Sequence, residues 1–292
     1  MALNYRKLYE GAVEKLLFIC ATISIITIVF ITIFIFRTGL PLFEEVSVTE
    51  FLFSDRWQPT DDQNPGFGIL AFIIASIYVT IGALIIGVPI GLATAIHLAE
   101  IAGERSAGVL KSVVEILAGI PSVVYGFFGA VLIAPLNRML FGGTGFNILS
   151  GSIVLAIMIL PTLISISEVS IKSVSKDLKA ASFALGASHW QTIVKVILPA
   201  AASGIIAAIV LGTGRAVGET MAVLMVAGNA PIMPEGITSM VRTLTMSIAG
   251  DMGYAAGTHR TALFATSIVL FIFVMALNVF IKLITRKGRA MI

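Results

Sequence analysis

Arg215 and Glu219 stand four residues apart inside ASGIIAAIVLGTGRAVGETMAVLMVAG, residues 202–228, a run otherwise free of charge. Ionised side chains at lipid depth are costly, usually face the bundle interior, and by default mark a pathway. Arginine presents a planar fork of donors suited to an oxyanion. A carboxylate at i+4 shares its helical face and can touch it. Glu219 would then offset the charge, so that an anion is bound but also released. The alternative is a buried ion pair that fixes helix packing. Gly212, Gly214 and Gly218 crowd the same turns. The Gly214–Gly218 spacing predicts close approach of a neighbouring helix, with an open backbone lining beside the pathway as the second reading.

Little else in the chain has the chemistry of a site. Glu115 and Glu168 fall within a turn or two of span ends, where a long side chain reaches the interface. There is no G-x-x-x-x-G-K-[ST], no nucleophile elbow and no H-E-x-x-H. The chain therefore reads as a non-enzyme with no cofactor of its own, and any ATP must be used by another chain. His97, His189 and His259 are scattered and Cys20 is the only cysteine, which gives neither metal-ligand spacing nor an internal disulfide. No basic cluster interleaved with aromatics points to nucleic acid.

The elements that must position the pair are membrane helices. The chain is 58% hydrophobic and 12% charged, with mean hydropathy +1.02, against about 25% charged in a soluble domain. Six segments reach the roughly 20 apolar residues a spanning helix needs, near 16–36, 69–97, 111–135, 151–171, 203–228 and 261–284. Their unbroken runs predict an all-α membrane bundle rather than a barrel. Pro89, Pro121 and Pro161 predict kinks. With the N-terminus inside, thirteen of the 19 Lys and Arg residues flank inner ends and five flank outer ones. That asymmetry predicts both termini in the cytoplasm. The organisation expected is an N-terminal helix and first outer loop over 1–60, then one transmembrane domain over 61–292.

The longest inner loop has helix signals of its own. Asp177 can cap a helix beginning LKAASFALG, and Gly186 can close it in a left-handed turn. Ser188 can cap a second short helix, HWQTIVKVIL, ending at Pro199. The two predict a compact knob over 177–199, shaped to dock a protein rather than to lie on lipid headgroups.

That knob carries a resemblance. The stretch from Ala180 to Pro199, A-A-S-x3-G-x9-V-x-L-P, resembles the "EAA" loop of ABC importer permeases, E-A-A-x3-G-x9-I-x-L-P. Gly186, Leu198 and Pro199 fall in register, Ala181 matches the second position, and Val196 replaces Ile. Ala180 stands where the family carries Glu, which removes any salt bridge made by that glutamate but keeps the docking shape. GRAVGETMAVLMVAGN (214–229), AGIPSVVYG (118–126) and RTLTMSIAGDMGYAAGTHRTALFA (242–265) resemble the C-type permease subunits of phosphate-specific (Pst) importers.

The resemblance implies the six-helix bundle of a type I importer permease in a prokaryotic plasma (inner) membrane, moving phosphate by alternating access. It implies an A-type permease subunit beside this chain, two ATP-binding cassette subunits below and a periplasmic or extracellular phosphate-binding protein above. Ala180, Ala181, Gly186, Leu198 and Pro199 would couple to the ATPase, and Arg215, partnered by Glu219, would meet the anion midway. Sulfate or molybdate is the nearest alternative cargo. An ATP-independent transporter or channel is the alternative mechanism.

Overall fold

Ile148–Lys172 form the helix about which the others pack, and apolar residues all round it explain why. A helix hydrophobic on every side belongs in the middle of a bundle. The computed structural model describes residues 2–61 and 63–289, with side chains over 13–61 and 63–279. Arg6, Lys7, Lys282, Arg286, Lys287 and Arg289, which weigh in the orientation expected above, lie outside the described side chains.

In chain order, α1 (Ala2–Gly39) is followed by the short helices α2 (Leu42–Glu45) and α3 (Val48–Phe53). The two-residue strands β1 (Trp57–Gln58) and β2 (Gly66–Phe67) pair antiparallel, with Trp57 opposite Phe67. Helix α4 (Leu70–Ile96) runs into a π turn at His97–Ile101, and α5 (Glu104–Gly119) follows. α6 (Ser122–Phe128), a π turn at Gly129–Ile133 and α7 (Ala134–Phe141) make one rod leading to the central helix, α8 (Ile148–Lys172). The knob is α9 (Lys176–Ala184) with α10 (His189–Thr192), continuing through a π turn at Ile193–Ile197 into α11 (Leu198–Gly218). α12 (Met221–Val226), α13 (Leu244–Asp251) and α14 (Gly257–Arg289) complete the chain. Among the described residues six helical stretches are long and apolar enough to cross a membrane: Val13–Glu45, Leu70–Ile101, Ser122–Phe141, Ile148–Lys172, His189–Gly218 and Gly257–Val279.

Two spans differ from expectation. The third begins at Ser122 rather than near 111, because Ile120 is extended (φ −70°, ψ 127°) ahead of Pro121 and a residue before proline is driven out of the helical region. Lys111, Ser112 and Glu115 are left on the separate helix α5. The fifth spans His189–Gly218 rather than 203–228. Pro199 does not end a helix. It follows the wider Ile193–Ile197 turn, where the ladder is already re-spaced around the hydrogen bond that proline cannot donate.

The core lies between α4, α8 and α11, where Ala75, Val79 and Ala83 meet Leu155, Ile159 and Leu163, with Ala208 and Ala216 behind. Small residues set this contact. A side chain at Gly82 would strike Ser152, and one at Gly91 would press on Leu163, so α4 lies against α8 at backbone range. α1 is the opposite case, exposed along almost its whole described length. It touches α14 near one end, through Phe34 on Phe264 (ring centroids 5.5 Å) and Gly39 against the Ala265 backbone.

Candidate functional site

Two breaks in the helical path lie close together. α5 stops at Gly119 and α6 resumes at Ser122. α11 stops at Gly218 and α12 resumes at Met221. The Tyr125 hydroxyl donates to the Leu117 carbonyl (2.6 Å), bridging the first break with a buried side chain. Gly126 packs on Ala222 and Met225 of α12, so the two breaks are neighbours.

Arg215 occupies the last turn of α11, exposed, with Nη1 donating to Thr162 Oγ1 of α8 at 3.5 Å. Thr162 lies well inside α8, far from either end. Leu211 and Gly218 are exposed on the same face, and a side chain added at Gly214 or Gly218 would meet nothing within 4 Å. The close-packing expectation therefore fails for this pair within the chain. The close approaches belong to Gly212, against Leu163, and Gly204, against Ser170.

Glu219 is not beside Arg215. Gly218 ends the helix and Glu219 is extended (φ −72°, ψ 131°), which swings its side chain off the arginine face. Its Oε1 accepts from the Ala222 N–H (3.0 Å), the position of a capping acceptor for α12, and its carbonyl accepts from Thr245 Oγ1 (3.0 Å). Among the described residues no ion pair joins the two. The expected i, i+4 contact is thus replaced by a lone arginine on an open face and a carboxylate that holds the unwound segment. Glu219 looks into a small cavity lined by Ser76, Thr80, Thr243 and Thr245. Sequence reasoning missed Tyr125 and these hydroxyls. AGIPSVVYG showed the proline break but not which residue would close it.

The knob forms as two braced helices. Ser175, not Asp177, caps α9, accepting from the Asp177 N–H (3.2 Å). Gly186 has φ +81°, the left-handed turn foreseen for it. Ser188 and Gln191 form a capping box on α10. Ser182 and Thr192 hydroxyls meet at 2.9 Å in the buried seam between the helices. Ala180, Ala181 and Gly186 are exposed on the knob, while Leu198 and Pro199 lie at the root of α11. Leu178, Phe183, Leu185 and Trp190 expose large apolar surfaces around them, the composition of a docking face.

Comparison with known proteins places this architecture. Residues 87–289 match the model of the family described as "Binding-protein-dependent transport system inner membrane component". The chain is 43% identical over 272 residues to a probable ABC transporter permease protein, YqgH, of Bacillus subtilis, covering 91% of this chain and 88% of that one. It is 33% identical over 242 residues to the phosphate transport system permease protein PstC of Pasteurella multocida, covering 76% and 75%. Among solved structures it resembles a chain of a bacterial ABC transporter for the polysaccharide alginate, with TM-score 0.61, 16% identity, and 89% and 92% coverage. A chain of the inward-facing MetNI methionine ABC transporter gives TM-score 0.57 at 22% identity, with 76% and 94% coverage. The chain belongs to the binding-protein-dependent inner membrane components, as a multi-pass permease subunit of a type I ABC importer.

Proposed function

We propose that this permease moves inorganic phosphate, as the C-type subunit of an ATP-driven importer. The observation that carries the reading is the unpaired Arg215 on an open helix face at membrane depth, in a chain one-third identical to a phosphate permease over three-quarters of its length. A guanidinium with free donors takes an oxyanion bidentately. Gly214 and Gly218 leave room beside it, and Thr162 supplies a hydroxyl at its border.

The knob faces the cytoplasm in this reading, with both termini, and seats in two ATP-binding cassette subunits through this chain and an A-type permease. ATP-driven closure of the cassettes pushes the Ala180–Pro199 region, and the broken helices reorient so that Arg215 faces outward. A phosphate-binding protein on the outer side delivers the anion. Cassette opening returns the site to the cytoplasm, where the single arginine, with no second cation at the same face among the described residues, lets the anion go. Glu219 acts through the backbone, holding α12 against the break.

Uptake of radiolabelled phosphate into proteoliposomes containing the whole complex, with the binding protein on one side and ATP on the other, tests this. Uptake that requires ATP and resists competition by sulfate and molybdate is expected. ATP hydrolysis coupled to sulfate or molybdate uptake instead would move the chain to another oxyanion. Phosphate flux independent of ATP would make it a channel or secondary transporter.

A further inference from the structure

The knob and α4 are joined by charge at one place. Lys179, in the middle of α9, reaches across 79 positions to Glu100, with Nζ 2.5 Å from Oε1. The Glu100 side chain is 7% exposed and that of Lys179 23%. Among the described residues this is the only ion pair between the knob and another element. A surface pair is screened and loose. A pair this deep holds its geometry, because separating it strands a buried charge.

Glu100 belongs to the π turn His97–Ile101 that closes α4, and the knob leaves through another π turn, Ile193–Ile197. The two turns share an apolar cluster, in which Ala95, Ile193 and Ile197 are buried and Ala99 packs alongside. Such turns occur often at functional sites. From Glu100, α4 extends as one rod along α8, past Leu163 at Gly91 and Ile159 at Gly87, to Ser76 and Thr80 at the Glu219 cavity. Ser76 also accepts from the Leu244 N–H (3.0 Å) at the start of α13. The knob is therefore linked by one continuous helix to the break that follows Arg215.

We propose that Lys179 and Glu100 are a positioning pair, a strut that passes movement of the knob to α4 and so to the break after Gly218. Apolar surfaces alone can slide over one another, whereas an ion pair with its carboxylate buried fixes both a distance and a direction. Neither residue touches the cargo. The inference rests on reading the knob as the point where the ATPase pushes.

The test uses the complete complex, purified with its cassette subunits and reconstituted. Glu100→Gln, Lys179→Met and the exchanged pair Glu100→Lys with Lys179→Glu are compared with the native chain. ATP hydrolysis and phosphate uptake are measured together. Spin labels at Lys176→Cys and Ile90→Cys, in a Cys20→Ser background, report the knob-to-α4 distance with and without ATP and vanadate.

In the native complex the label distance should stay the same in both nucleotide states. Each single variant should keep hydrolysis within twofold, lose at least tenfold in uptake per ATP, and show a distance that changes with nucleotide. The exchanged pair should restore both. Native uptake per ATP with an unchanged distance in the single variants overturns the strut. So does a joint loss of hydrolysis and uptake that the exchange does not rescue, since that is plain misfolding. If the native complex hydrolyses ATP but carries no phosphate, the cargo is wrong, and the label distances still decide the strut.

Discussion

Arginine stands near acid in two parts of this molecule, and the two are built in opposite ways. Arg242 Nη1 lies 2.9 Å from Asp251 Oδ2, both side chains largely buried. Asp251 also accepts from the Tyr254 hydroxyl (2.5 Å), lies 3.6 Å from His259 Nε2, and Trp57 packs edge-on against that histidine. The cluster ties β1, α13 and α14 together. Arg215 instead stands exposed, four residues from a carboxylate that has turned away. Nearness in sequence predicts neither pairing. What separates them is the backbone, since Arg242 and Asp251 are brought together around an intact α13, whereas a helix break lies between Arg215 and Glu219. The first arginine is built into the structure, and the second has no ion-pair partner among the described residues.

The comparison can be broken first at Asp251. Asp251→Asn leaves Arg242 buried beside a neutral group, and thermal unfolding of the purified complex should show a loss of about 3–5 kcal/mol, as for a broken buried pair. A loss no greater than that of a surface substitution would remove the structural role. Next, Gly204→Ala should cost about 1–3 kcal/mol by overpacking, because its methyl group would fall against Ser170 Oγ. Gly214→Ala meets open space and should be neutral or stabilising by up to about 1 kcal/mol. Equal effects of the two would erase the distinction between the packed and open faces of α11.

Glu219→Ala removes the acceptor at the start of α12 and should cost about 1 kcal/mol in the same assay. Glu219→Gln keeps an acceptor oxygen and should retain most of that. The smallest effect is one of pH. The hydrogen bond to the Asp251 carboxylate, with the negative charge beside it, holds the Tyr254 phenol above its ordinary value of 10.0. A group raised in the folded state contributes stability that is fully present below its unfolded pKa and lost as pH climbs through the folded one. Native protein should therefore lose slightly more stability than Tyr254→Phe as pH rises above about 10, and parallel curves would contradict this.

Much of the bundle was legible because lipid-depth helices are written as long apolar runs. The knob was legible too, through Gly186 and the Ser188 cap, since caps are local chemistry. Span ends were less so. Apolar residues resume directly after Glu219 and Thr220, and only the extended backbone at Glu219 shows where the rod stops. Asp177 and Ser175 are both good caps by type, and the choice between them depends on where the end of α8 releases the chain. The hydroxyls around Glu219 come from two segments far from it in the chain, Ser76 and Thr80 on α4 and Thr243 and Thr245 at the start of α13, and Lys179 and Glu100 are 79 positions apart. Such contacts depend on tertiary packing, which no local spacing encodes.

The most direct test of the contrast is phosphate uptake by the reconstituted complex carrying Arg215→Gln, with thermal stability measured on the same sample. The account predicts unfolding within about 0.5 kcal/mol of native, as for an exposed side chain, and uptake reduced at least tenfold. Native uptake in that variant, or an uptake loss matched by a large loss of stability, would contradict it.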